Sequence, residues 1–215
     1  MKSTYNLIAG TSVERLAALS DGVFAVALTL LVLDIHAPAS ASIHSEQSLW
    51  LAIVSLGPHL LVYAMTFMTL GIFWVGQQTQ LNHLARTDRS LTWIHLAFLF
   101  AVSMMPFSTT LLASFTTYRI ALLTYWLNIL VLGITLLFSW ICATGSAHLK
   151  QDVPPQVSTA IKRRILIAQG LYALGAALCF IDTFWSIGFI VAVQLNYAVA
   201  PRLPRLHRRE VSPSR

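Results

Sequence analysis

The sequence predicts an all-α, polytopic membrane protein with six transmembrane helices. Three observations predict it. Of the 215 residues, 56% are apolar and 10% charged, whereas soluble domains carry about 25% charged residues. The apolar residues gather into six runs, each near the ~20 residues that carry a helix across a bilayer. The basic residues gather on one side of those runs, as they do in cytoplasmic loops.

The runs lie at 14–36, 49–77, 91–114, 119–143, 164–181 and 183–201. Polar and turn-forming stretches separate the first five: "HAPASASIHSEQS", "NHLARTDRS", "SFTTY" and "GSAHLKQDVPPQVS". The fifth and sixth meet near Asp182, which predicts an antiparallel helical hairpin. Gly57-Pro58 and Pro106 predict kinks in the second and third spans. Apart from Arg119, every Lys and Arg falls on the side of the two termini. Both termini are therefore expected in the cytoplasm, and six spans return the chain to its starting side, in agreement. "APASAS" resembles a signal-peptidase site, but Glu14, Asp21 and the length of the run favour a retained span. Residues 1–201 form the membrane domain, and 202–215 read as a basic, disordered cytoplasmic tail.

Composition and motifs exclude several classes. There is no metal-ligand spacing, no glycine-rich phosphate loop and no serine–histidine–acid arrangement, so no metal, cofactor or catalytic residue is assigned. The positive charge reports topology, and no nucleic-acid partner is expected. Cys142 and Cys179 sit in or beside apolar runs and read as small buried hydrophobes. Asn128, Gln169, Gln194 and Asn196 read as interhelical hydrogen-bonding groups.

The first run carries the most information. Its stretch "RLAALSDGVFAVALTLLVLDI" holds a carboxylate, Asp21, at the edge of an apolar helix. Winding it at about 100° per residue with Val26 at zero places Leu19, Gly22, Thr29, Leu30 and Leu33 within about 60° of Val26. Asp21 and Ser20 fall on the other side. Arg15 and Asp21 are six residues apart and cannot pair along the helix. Asp21 therefore needs donors from another helix, since a carboxylate in a bilayer is costly. Gln77, Gln78, His83 and His95 lie near the same end of the second and third runs. The expectation is a buried polar knot of Ser20 and Asp21 with some of these, fixing the helix in rotation and height.

The same stretch resembles the signature of the endosomal/lysosomal potassium channel family (transmembrane protein 175 family), in its bacterial branch. That signature is Arg-x-x-x-Phe-Ser-Asp followed by an apolar helix. Arg15, Ser20 and Asp21 match it, and Leu19 replaces the Phe. "GIFW" at 71–74, "DRSLTW" at 88–93 and "MPFSTTLL" at 105–112 extend the resemblance over the first half of the chain. It implies a homotetramer whose first helices line one central pore, with potassium ions as the permeant species and the bacterial inner membrane as the location. It also implies that Val26, Leu30 and Leu33 form the hydrophobic filter, with Thr29 beside it. Those four residues are the ones on the stripe found by winding the helix. The family often has His-His after its "FW" motif, where this chain has Gln77 and Gln78, and often Asn where this chain has His95. Val26 is smaller than the family's usual Ile or Leu. The resemblance thus points to a potassium-preferring channel. A secondary transporter and a non-conducting membrane scaffold are the rivals.

Overall fold

The computed structural model describes residues 12–40, 43–145 and 148–199, and these are helical with short connections. The helices are α1 (Val13–Leu33), α2 (Glu46–Ser55), α3 (Gly57–Asn82), α4 (Arg89–Ser103), α5 (Met105–Ser114), α6 (Arg119–Gly145), α7 (Pro155–Ala177) and α8 (Thr183–Val199). Among the described residues, α1, α3, α4 with α5, α6 and α7 with its terminal turn are long and apolar enough to cross a membrane. The last apolar helix, α8, is shorter, at 17 residues. The predicted tail at 202–215 lies outside the described residues.

Local chemistry sets the helix starts. Ser12 Oγ accepts from Arg15 N to open α1, and Asp88 Oδ1 accepts from Leu91 N to open α4. Ser45 and Ser48 cap α2 reciprocally. The expected kinks are full breaks. At Leu56 and Met104 one helix ends and the next begins, two residues before Pro58 and Pro106 respectively. Each proline lacks the N–H that the carbonyl four residues back would otherwise receive.

Two expected boundaries shift. The second run's helical segment begins at Glu46 and ends at Asn82, beyond the apolar stretch on both sides. The fifth begins at Pro155 rather than 164, so Lys162, Arg163 and Arg164 lie within α7. Hydropathy marks where a helix enters hydrocarbon, whereas capping marks where it starts. Here Pro154 and Pro155 open α7 nine residues before Arg164.

The first helix packs on α3, α4 and α5; α6 packs on α4, α5 and α7; and α8 lies against α3 and α7. Phe24 of α1 and Phe73 of α3 pack at a tilt against Phe98 of α4 in the core, with ring centroids 6.0 and 6.3 Å from it. A smaller cluster of Leu16, Leu81, Leu84, Leu91 and Ala143 closes the end nearest the N-terminus. There the two loops join through a Leu84–Leu149 bridge and a 3.5 Å contact between His148 Nε2 and Asp88 Oδ2.

The hairpin expected near Asp182 is present. A single 3-10 turn, Leu178–Phe180, connects α7 to α8. Asp182 Oδ1 accepts from Phe184 N and Trp185 N. Gly175 lets the two helices close, since a Cβ there would lie 2.8 Å from Ile190. Polar bonds also cross the interior, as they do between membrane helices. Tyr125 OH of α6 lies 3.1 Å from Thr69 Oγ1, which also accepts from Gln194 Nε2 at 2.6 Å. Thr66 meets Thr109 at 2.8 Å. Gln169 reaches Ile129 O, and Asn128 meets Ser108 Oγ. Asn196 is exposed, and its side chain makes no interhelical bond among the described residues.

Candidate functional site

Two faces of α1 have opposite fates. Leu16, Ser20, Phe24, Ala27 and Leu31 are buried against the rest of the chain. Val26, Leu30 and Leu33 face outward, 57%, 45% and 69% exposed. Leu19, Gly22 and Thr29 share that exposed side. The stripe obtained by winding the sequence is thus a face that this chain does not cover. Along the axis, Val26 to Leu30 rises about 6 Å and Leu30 to Leu33 about 4.5 Å. The three side chains form successive apolar steps over about 10 Å.

Thr29 sits between those steps. Its Oγ1 contacts the carbonyls of Ala25 and Val26 at 3.0 and 2.9 Å, so its hydrogen is committed to the helix. What the hydroxyl offers outward is lone pairs, which accept from water or face a cation.

The residues that hold this face in place form two separate groups rather than one knot. The inner group is fully buried. Ser20 Oγ donates to Leu16 O at 2.8 Å and accepts from Gln77 Nε2 at 2.9 Å. The same amide nitrogen lies 3.5 Å from His95 Nδ1, and His95 Nε2 lies 3.0 Å from Ser139 Oγ. An amide nitrogen only donates, so Nδ1 accepts and the Nε2 hydrogen goes to Ser139. This relay ties α1 to α3, α4 and α6.

The outer group is exposed, not buried as the sequence led us to expect. Asp21 Oδ1 accepts from Trp74 Nε1 at 2.8 Å and from Gln78 Nε2 at 2.7 Å. Trp74 and Gln78 are four residues apart and stand on one face of α3. The carboxylate is thus served by donors without leaving the surface. Arg15 is exposed as well, and its guanidinium bonds nothing among the described residues. His83 joins neither group. Its Nδ1 lies 2.6 Å from Thr79 O, and its ring stands edge-on to Trp140 at 6.2 Å.

Trp74 and Ser139 escaped the reading of the sequence as site residues. Trp74 was visible only as part of "GIFW", although its four-residue spacing from Gln78 was a usable signal. Ser139 carries no local signal, because only the crossing of α4 and α6 brings it to His95.

The family model "Endosomal/lysosomal potassium channel TMEM175" matches residues 15–106, which hold the stripe and every member of the two polar groups except Ser139. A potassium channel of Streptomyces collinus is 30% identical over 194 residues, spanning 87% of this chain and 84% of that protein. The chain belongs to the TMEM175 family. A potassium channel of Chamaesiphon minutus is 31% identical over 189 residues, covering 86% of this chain and 93% of its own. The crystal structure of a lysosomal potassium-selective TMEM175 homolog from Chamaesiphon minutus superposes with a TM-score of 0.76 at 29% identity. It covers 87% of this chain and 97% of that one. The likeness therefore extends beyond the first half, where the motifs lie, to the α6–α8 region, where the sequence offered only hydropathy. Within the TMEM175 family, Gln77 and Gln78 do here what the structure describes: one enters the buried relay and the other holds Asp21.

Proposed function

We propose that this protein is a potassium-preferring cation channel of a bacterial inner membrane, with both termini in the cytoplasm. Four copies place their α1 helices around a common axis. Val26, Leu30 and Leu33 face that axis as three apolar layers, and Thr29 presents its hydroxyl oxygen between them. The observation that carries this reading is the exposed stripe itself. It stands on a helix that is anchored from the opposite side by Ser20 and from the flank by Asp21.

The chemistry of passage follows from hydration. An ion crossing an apolar layer must shed or distort its water shell, and the layer offers little in return. Potassium holds its shell less strongly than sodium and crosses at lower cost. The same layers gate by dewetting when the helices draw together. Conduction of this kind uses no cofactor and no catalytic group, and potassium is its cargo. The secondary-transporter reading lacks a pair of broken helices at matching positions of two halves. The two breaks, at Leu56 and Met104, both fall in the first half of the chain.

The test is recording from the purified protein in planar bilayers with potassium on one side and sodium on the other. A reversal potential displaced toward the potassium equilibrium value is the expected result. A saturable flux that needs a coupling gradient favours the transporter. No conductance from a verified tetramer favours the scaffold.

A further inference from the structure

A cavity of about 270 Å³ lies between α3, α6, α7 and the end of α8, with no α1 residue in its lining. Its walls are largely apolar. They include Ile72, Phe73 and Gly76 of α3, Leu136 of α6, and Ala160 and Ala168 of α7. Arg164 and Tyr197 stand among the lining residues. The Arg164 guanidinium rests over the Tyr197 ring at 5.6 Å. It makes no ion pair with a carboxylate among the described residues. Lys162 and Arg163 precede it on α7.

We propose that this cavity holds an anionic phospholipid of the leaflet on the side of the termini. One acyl chain occupies the apolar groove, and the phosphate meets Arg164. Three features argue for that occupant. A guanidinium without a carboxylate partner among the described residues, standing in the wall of an apolar groove, is matched by phosphate, which it engages with two parallel N–H donors. Basic pockets between membrane helices on the cytoplasmic side are suited to acidic headgroups. The dimensions also fit. From Arg164 to Tyr172, the deepest lining residue of α7, the helix rises about 12 Å. One leaflet of hydrocarbon is about 15 Å thick. The groove therefore runs from headgroup level into the leaflet, in the direction an acyl chain takes. The proposal rests on the membrane placement of α3 and α7 and does not depend on ion conduction.

The experiment is native mass spectrometry of the protein extracted in mild detergent and mixed with phosphatidylglycerol or with phosphatidylcholine. Phosphatidylglycerol is expected to remain bound to each subunit and phosphatidylcholine to be lost at lower activation energy. Arg164→Gln should abolish that difference. Ala168→Phe fills the groove and should reduce retention of both lipids several-fold. Ala160→Trp, at the exposed end of the groove, does the same without touching the packed interior. Leu166→Phe, on the exposed side of α7 away from the cavity, should leave retention unchanged. Thermal melting shows whether each variant is folded, and a misfolded Ala168→Phe leaves the decision to Ala160→Trp. Equal retention of the two lipids by the wild type would overturn the phosphate assignment. Unchanged retention in folded Ala160→Trp would overturn the groove.

Discussion

Replacing Leu30 by Asn sets the apolar layers against the rest of α1. Leu30 is 45% exposed on the stripe and belongs to neither of the buried core clusters. Its substitution should leave the fold intact and put an amide from each of four subunits into one layer. If each amide lowers the cost of an ion at that layer by only about 0.35 kcal/mol, four sum to about 1.4 kcal/mol, a tenfold rise in rate. Conductance should therefore increase about tenfold. Preference for potassium over sodium should fall, because an amide replaces part of the lost hydration of either ion. The choice of control matters. Leu31 is buried and Leu28 packs against the core. Asn at Leu31 would lose packing and strand an amide, costing about 2–5 kcal/mol, and would fail by unfolding. Val32 is the proper comparison, since it is 50% exposed and about 120° from Val26 around the helix. Single-channel current and reversal potential for Leu30→Asn and Val32→Asn decide the matter. Equal effects from the two would refute the claim that this face lines the ion path.

Three further outcomes follow from the same geometry. Val26→Leu should narrow its layer and reduce single-channel current with tetramer yield unchanged, read by recording and size-exclusion chromatography. Trp74→Phe combined with Gln78→Ala removes both donors to Asp21, so tetramer yield in detergent should fall more than ion preference changes; normal yield with altered selectivity would reverse the assignment. With Cys142 and Cys179 replaced, a cysteine at Asp152 should be labelled only from inside intact cells and one at Ser45 only from outside.

Five of the six spans, and the stripe, were legible in the sequence because both depend on periodicity and composition along one helix; the sixth run forms a shorter apolar helix. A run of apolar residues reports burial in hydrocarbon whatever surrounds it. The 3.6-residue repeat reports which residues share a face. Helix starts were less legible, since α2 and α7 begin in polar sequence that capping residues, not hydropathy, specify. Partners were the least legible. Ser20 with Gln77, and Gln77 with His95, were expected within one group, yet Asp21 belongs to another. That separation depends on the crossing of α1 with α3, which sets Gln77 inside and Gln78 half outside. His83 was misplaced because sequence proximity to Gln78 put it near the same end without showing its direction. Five residues past Gln78, and so turned well away from it around the helix, His83 faces Thr79 O and Trp140 instead.

The central claim is that Val26, Leu30 and Leu33 surround a path for ions. Cysteines placed singly at these positions and at Val32, in the cysteine-free protein, test it directly when a charged thiol reagent is added to conducting channels. Progressive block at Val26, Leu30 and Leu33, slowed by high potassium, with none at Val32, is the predicted result. Block at Val32 alone, or modification of all four without loss of current, would contradict it.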